Sequence, residues 1–358
     1  MNGEKNAAET TVIYENKDRF LANPAIARLS TDKYLLLYHD APSLKPPAKF
    51  NPKMRLGTMT GSSPYKPDLK SKRIVPRFSG SGSTPGAARI SDSLAVITDN
   101  RWFIYNWMGE PEIQVVCYYD WSIMLRGGYS VIADTSGDML KFGKPRRITS
   151  IHYPAVSCYD NPLVKDGKSI YCPVDYDSDA MQLNDRPWES IIMKSDDLGA
   201  TWQLHGTIHA EKDHPGMTRL KRPVIRELPG GGLVCTLVSH EVDSDLYFLK
   251  SDDFGKSWSE PQPTGFSGYH HSMIALSDGR ILMTYSPLKE PHGVVYRISE
   301  DGGKTWPENL YGEVYIKNES DECGWARGVQ LDDGSVFLVY YVHKPGNVFA
   351  ISGTKLFL

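Results

Sequence analysis

The chain has 358 residues, of which 40% are hydrophobic and 23% charged, with a formal net charge of −3 at neutral pH. This length buries a full core and suits one large β domain spanning 1–358. The near-neutral charge excludes wholesale nucleic-acid binding and favours a neutral or small polar ligand. Cys117, Cys158, Cys172, Cys235 and Cys323 are scattered, odd in number and free of CxxC spacing, so they read as buried thiols and not as zinc ligands. No apolar run is long enough to cross a membrane, and residues 1–10 lack the apolar region of a secretory signal. The expected compartment is the cytoplasm, or an export destination if a signal has been removed.

Taken in order, residues 11–14 (Thr-Val-Ile-Tyr) form a short β-branched and aromatic run, and the chain closes on another strand-like run over 348–358. Between them one unit recurs six times: a strand, a polar turn and a second, apolar strand. The first spans 23–38, and the others occupy 86–97, 160–174, 222–238, 271–285 and 327–341. Their turns fall near Asp32, Asp92, Asp166-Gly167, Gly230-Gly231, Asp278-Gly279 and Asp333-Gly334. Six units of roughly sixty residues predict a six-bladed all-β propeller. The 11–14 strand is predicted to pair with the last strand and close the ring. Residues 41–85 break the rhythm. Rich in Pro, Gly, Ser and basic side chains (Lys45, Lys49, Lys53, Arg55, Lys66, Lys70, Lys72, Arg73, Arg77), they read as a long insertion loop. Such a loop suits a lid on the channel, a homo-oligomer contact or a solvated surface excursion.

An eight-residue motif punctuates the second half. Ser195-Asp196-Asp197-Leu198-Gly199-Ala200-Thr201-Trp202 returns as Ser251-Asp252-Asp253-Phe254-Gly255-Lys256-Ser257-Trp258 and as Ser299-Glu300-Asp301-Gly302-Gly303-Lys304-Thr305-Trp306. A degenerate copy lies at Ala133-Asp134-Thr135-Ser136-Gly137-Asp138. Each copy holds the parts of a self-capping turn: Asp and Ser side chains for the turn's own N–H groups, a glycine for positive φ and a tryptophan to pack beneath. These motifs resemble the Asp boxes of the sialidase superfamily of β-propellers. The stretches Tyr269-His270-His271-Ser272-Met273-Ile274-Ala275-Leu276 and Gly324-Trp325-Ala326-Arg327-Gly328-Val329-Gln330-Leu331 are similar to that superfamily's closing blades. The likeness is good over 160–358 and weak before it. It implies Asp boxes on outer hairpins, away from the active site.

In a propeller the starts of the inner strands and the exits of the second strands converge on one face of the central channel. The inner starts supply Asn23, Ser83 and Thr84, then Tyr159, Asp160 and Asn161, then Arg219, Lys221 and Arg222. Tyr269, His270, His271, Trp325 and Arg327 complete that set. The exits supply His39 and Asp40, Asp99 to Arg101, Asp175 to Asp177, His240 and Glu241, Lys289, Tyr340, Tyr341 and His343. Cations, imidazoles, carboxylates and aromatics at the same end of every repeat suit a carbohydrate or small anion. Guanidinium pairs a carboxylate, aromatic rings take a sugar's apolar face, and carboxylates take its hydroxyls.

The sialidase resemblance implies three arginines on the substrate carboxylate, a tyrosine nucleophile paired with a glutamate, and an acid/base aspartate. Here the first-blade arginine motif is replaced around Asn23-Pro24-Ala25, Trp325 stands in the tyrosine's place, and Lys221-Arg222-Pro223 stands where a glutamate is expected. Those departures argue against sialic-acid hydrolysis. Three functions stay open. The first is a hydrolase of another, acidic glycan, using Asp40, Asp160, Asp177 or Glu241 as paired carboxylates. The second is a polysaccharide lyase in which Tyr269, His270 or His271 takes a proton beside a uronate neutralised by Arg222 or Arg327. The third is a glycan-binding propeller without catalysis. Arg219, Lys221, Arg222, Trp325, Arg327 and Tyr340 are the expected substrate contacts. Strand alternation lets only one of His270 and His271 face the channel, and His271 is the expected one. Trp102, Trp107, Trp121 and Trp188 read as buried more readily than as sugar platforms. With no HExxH or phosphate-loop motif present, no metal or cofactor is expected.

Overall fold

The computed structural model describes residues 9–42, 53–79, 84–106, 115–119, 122–176, 188–214, 219–239 and 244–358. They form six antiparallel sheets, the blades of a propeller. Blade 1 holds Phe20–Ser30, Lys33–Ala41, Arg55–Gly61 and Asp68–Ser79. Blade 2 is built on Gly86–Ser91, Leu94–Asn106 and Ser122–Asp134, edged by Lys141–Phe142 and Arg146–Arg147. Val115–Tyr119 pairs with the start of its third strand. Blade 3 begins with the broken inner pair Ser157–Cys158 and Leu163–Lys165, followed by Ser169–Tyr176, Glu189–Ser195 and Gln203–Ala210. Blade 4 holds Leu220–Glu227, Leu233–Ser239, Asp245–Ser251 and Gln262–Ser267. Blade 5 holds Tyr269–Ala275, Ile281–Ser286, Val294–Ser299 and Tyr311–Tyr315. Blade 6 takes Gly324–Gln330, Val336–Lys344 and Val348–Leu356, and Glu9–Glu15 pairs antiparallel with the last of these, so strands from the two ends of the chain close the ring.

The core is six wedges, each between neighbouring blades. Tyr38, Met59 and Phe337 meet between blades 1 and 6, and Leu35, Ile97 and Val131 between blades 1 and 2. Ile148, Cys172 and Met193 fill the next wedge, and Ile192, Ile225 and Leu249 the one after. Because a blade is covered on both faces, its second strand carries apolar side chains on both sides along most of its length. Lys33–Ala41 and Ser169–Tyr176 are buried almost end to end, which is why they read as continuous apolar runs. Cys158, Cys172, Cys235 and Cys323 are buried free thiols.

The 41–85 segment is not an insertion. Arg55–Gly61 and Asp68–Ser79 are the third and fourth strands of blade 1, and only 43–52 and 80–83 lie outside the described residues. The composition misleads for two reasons. Asp68–Ser79 is a sheet edge, where lysines, arginines and Pro76 are compatible with a strand. Gly57 is set by packing: a Cβ there would lie 2.5 Å from Cζ of the buried Tyr38 ring. The basic segment expected to cover the channel or touch another subunit is in this part a blade edge.

Each Asp box is a clasp between blades. Asp197 accepts from the Thr201 N–H at 2.8 Å and its hydroxyl at 2.7 Å, while Ser195 Oγ accepts from the Gly199 N–H at 2.8 Å. Bonds from Thr201 hold the Asp197 carboxyl down to about 2. Asp253 and Asp301 repeat the pattern. In every box the glycine touches the preceding blade. A Cβ on Gly199 would sit 2.8 Å from Ser130 Oγ, one on Gly255 2.6 Å from Ile192 Cδ1, and one on Gly303 2.0 Å from Phe248 Cζ. Trp202 and Trp306 pack into the same wedges. Because the boxes join third to fourth strands, they lie on the face opposite the inner-strand starts.

Candidate functional site

One backbone device recurs where the inner strands begin. The register to the second strand slips between Ala22 and Ala25, Lys221 and Val224, Tyr269 and Ser272, and Gly324 and Arg327. At each slip one non-glycine residue is left-handed: Asn23 (φ 49), Arg222 (φ 59), His270 (φ 56) and Trp325 (φ 51). Such a bulge re-aims a side chain, and a conformation costing about 1–3 kcal/mol persists only where its surroundings fix it. Four of the six blades thus present one selected side chain each at the channel mouth.

Three of the four meet. His270 stacks on Trp325, with ring centroids 4.2 Å apart and planes at 23°. The Arg222 guanidinium carbon lies 5.5 Å from the ring centroids of both Trp325 and Tyr159. Tyr269, 42% exposed, stands 6.1 Å from His270. The Arg222 bulge is pinned by Asp175, whose Oδ2 accepts from its backbone N–H at 2.8 Å while Ser190 Oγ donates to Oδ1 at 2.8 Å. Arg222 Nε is buried and makes no hydrogen bond to the described residues. A cation with an unused donor between aromatic faces recognises an anion attached to a ring.

Deeper in the channel is an ion-pair knot. Asp160 is fully buried, taking both Nη atoms of Arg226 at 2.5 and 3.1 Å, Nη1 of Arg327 at 3.3 Å and the Ile225 N–H at 3.2 Å. Arg327 also donates to the Tyr159 carbonyl and to Asn161. Burial pulls its guanidinium down to about 10, so it stays charged at neutral pH. The knot ties blades 3, 4 and 6 together. A second network joins blades 1 and 2: Asn23 Nδ2 and His39 Nδ1 are 3.2 Å apart, and His39 Nε2 and Asp99 Oδ2 are 2.9 Å apart.

This geometry revises several expectations. Asp160 accepts from both Arg327 and Arg226 and is fully buried, and Arg327 is 3% exposed, so neither is free to face a substrate. Asp40 is buried and paired with Arg19 and with Arg55 at 3.3 Å. His271 is 5% exposed, with Nε2 3.4 Å from the Thr236 carbonyl of blade 4, and burial pulls it down to about 4. His270 takes the mouth instead, because the bulge at φ 56 overrides strict strand alternation. Tyr340 is a core residue bonded to Thr354 at 2.6 Å and raised to about 12 by burial. Arg219 lies half-buried on the connection between blades 3 and 4, donating to Glu211 at 3.2 Å, and Lys221 precedes the Arg222 bulge. Asp177 and Glu241 lie outside the described residues. Trp188 is buried. Arg226 was missed because one arginine in an inner strand carries no local signal. The bulges were missed because no glycine marks three of them.

Among the described residues no group of three or more His, Cys, Asp and Glu side chains is placed to hold a metal ion, and no helix is long and apolar enough to cross a membrane.

A six-bladed ring carrying Asp boxes is the fold of a sialidase-like propeller. Within that class the chain belongs to the BNR repeat-like domain family, whose profile matches residues 114–338. Its fold is similar to that of a protein of unknown function from Dyadobacter fermentans, at TM-score 0.77 and 20% identity, covering 97% of each chain. It is also similar to the Hadza microbial sialidase Hz136, at TM-score 0.62 and 12% identity over 95% of this chain and 66% of that one. For a single-residue mutant of the NanB sialidase of Streptococcus pneumoniae the values are 0.63 and 9%, over 96% and 70%. These likenesses establish the fold. No curated protein matches the chain in sequence.

Proposed function

We propose that the protein is a glycan-cleaving enzyme of the glycosidase-like propellers that acts on an acidic sugar. The observation that carries this reading is the Arg222 guanidinium, lying between Tyr159 and Trp325 with His270 stacked on the same indole. A carboxylate bound at Arg222 sets its sugar ring beside Trp325 and His270, within reach of the imidazole and of Tyr269. Sialidases and a family 117 glycoside hydrolase share the fold, which supports cleavage of a glycosidic bond by hydrolysis. Asp40 and Asp160 are bound to arginines and buried, so of the carboxylates expected from the sequence Asp177 and Glu241, which lie outside the described residues, stay open for that route.

A specific observation favours a second route. His270 stacks on the same Trp325 ring that Arg222 faces, with Tyr269 beside it, an arrangement suited to taking a proton from the carbon next to a neutralised uronate and expelling the leaving sugar by β-elimination. Incubation with uronic-acid polysaccharides and aryl glycosides, read for reducing ends and ultraviolet absorbance together, separates the two. Reducing ends alone support hydrolysis; absorbance of an unsaturated uronate supports elimination. Glycan binding with neither product refutes catalysis and leaves a binding propeller.

A further inference from the structure

Asn23 is the bulge residue that the aromatic cluster does not include, and its side chain ends a buried relay between blades 1 and 2. Asp99 Oδ1 accepts from the Asn100 N–H at 2.8 Å, Asp99 Oδ2 lies 2.9 Å from His39 Nε2, and His39 Nδ1 lies 3.2 Å from Asn23 Nδ2. His39 is 1% exposed, Asp99 2% and Asn23 7%. The direction of each bond follows from the anchored end. A carboxylate oxygen only accepts, so His39 donates its Nε2–H to Asp99. A neutral imidazole then keeps Nδ1 as its acceptor, so Asn23 donates from its NH2 group. The amide nitrogen is thereby bonded within the protein, and no described residue donates to the amide oxygen, Oδ1. Trp325 packs against the apolar cluster that contains Ala22, the residue before Asn23, so the blade 1 bulge borders the aromatic platform of the candidate site.

We propose that Asn23 is a specificity-determining residue, its Oδ1 accepting a hydrogen bond from a hydroxyl of the acidic glycan held at Arg222. His39 and Asp99 are positioning residues: buried behind the amide, they fix which of its ends faces the protein and which is presented to the ligand. The left-handed backbone at residue 23 suits this role, because Asn is one of the few residues with a side chain that adopts it readily, and the bulge aims the amide independently of strand alternation. Two demands on the ligand follow. Arg222 asks for an anion and Asn23 for a neutral donor, the pair that a uronic acid carries in its carboxylate and hydroxyls. The inference rests on the reading of this mouth as an acidic-glycan site.

The test has two arms, neither of which needs turnover. Nitrogen NMR of the His39 ring in the full chain is expected to show the neutral Nε2–H tautomer with a bare Nδ1. An Nδ1–H tautomer, or a doubly protonated ring at neutral pH, would reverse the amide and overturns the proposal. In the second arm, calorimetry measures binding of uronic-acid disaccharides and of their monodeoxy forms. For the disaccharide that binds, removing one particular hydroxyl is expected to weaken binding to the wild type by about fivefold, the worth of one neutral hydrogen bond. Asn23→Gly, which keeps the left-handed backbone and removes the amide, is expected to bind the parent and that monodeoxy form equally. A wild type indifferent to every hydroxyl, or an Asn23→Gly protein that discriminates as the wild type does, overturns the assignment of Asn23 while leaving the acidic-glycan reading intact. Hydroxyl discrimination through Asn23 without cleavage of any glycan upholds the assignment and refutes cleavage. If no uronate binds, both fall.

Discussion

His270 and Trp325 come from adjacent blades and stack at 4.2 Å because each occupies the left-handed position of its own inner-strand bulge. If this pair is the sugar platform, Trp325→Ala raises KM about tenfold, the equivalent of ~1.4 kcal/mol of lost ring contact. Arg222→Ala, which removes the anion partner, costs about a hundredfold in kcat/KM. Steady-state kinetics on an acidic glycan, with circular dichroism to verify folding, checks both. Equal loss on a neutral glycan would contradict the role given to Arg222.

Asp160 is predicted to matter for stability. Asp160→Asn leaves the partly buried Arg226 and the buried Arg327 facing each other without the carboxylate between them, and breaking a buried pair in this way costs about 3–5 kcal/mol. Urea denaturation measures it. A midpoint close to the wild type would mean that the knot is not a structural tie.

The Asp-box clasps predict a clear steric effect. Gly303→Ala combines φ +90 with a Cβ inside the Phe248 ring, and a loss of about 2–4 kcal/mol is expected. Phe248→Leu relieves the overlap, so the double variant should lose less than the sum of the singles. Strict additivity in thermal melts would show that the glycine does not act through its neighbouring blade.

Acid sensitivity follows from His271 and His209, both pulled from 6.5 to about 4, chiefly by burial. Between those values the unfolded chain binds protons that the folded chain refuses. Their stabilisation is complete above about pH 6.5 and is lost as pH falls toward 4, by at most about 3 kcal/mol for each. The melting temperature should drop over that window, and His271→Gln should flatten the drop. A parallel curve for the variant would refute the assignment.

The sequence by itself determined the ring. Turn chemistry at Asp166-Gly167, Asp278-Gly279 and Asp333-Gly334, and the hydroxyl and acid pattern around Asp197, Asp253 and Asp301, are local interactions whose partners lie within a few residues. It also named the residues that crowd the channel face, because strand starts and exits follow from the repeat. Only the tertiary structure decided which of them are available. Asp160, Arg327, Asp40 and Tyr340 look the same in sequence as Arg222 and Tyr269, but their partners Arg226, Arg19 and Thr354 sit in another blade, in the turn before Phe20–Ser30, or on a neighbouring strand. The exchange of His270 for His271 at the mouth depended on a bulge that no glycine announces. The third and fourth strands of blade 1 were hidden for the same reason: Gly57 answers to the Tyr38 ring, a neighbour that only the folded sheet supplies.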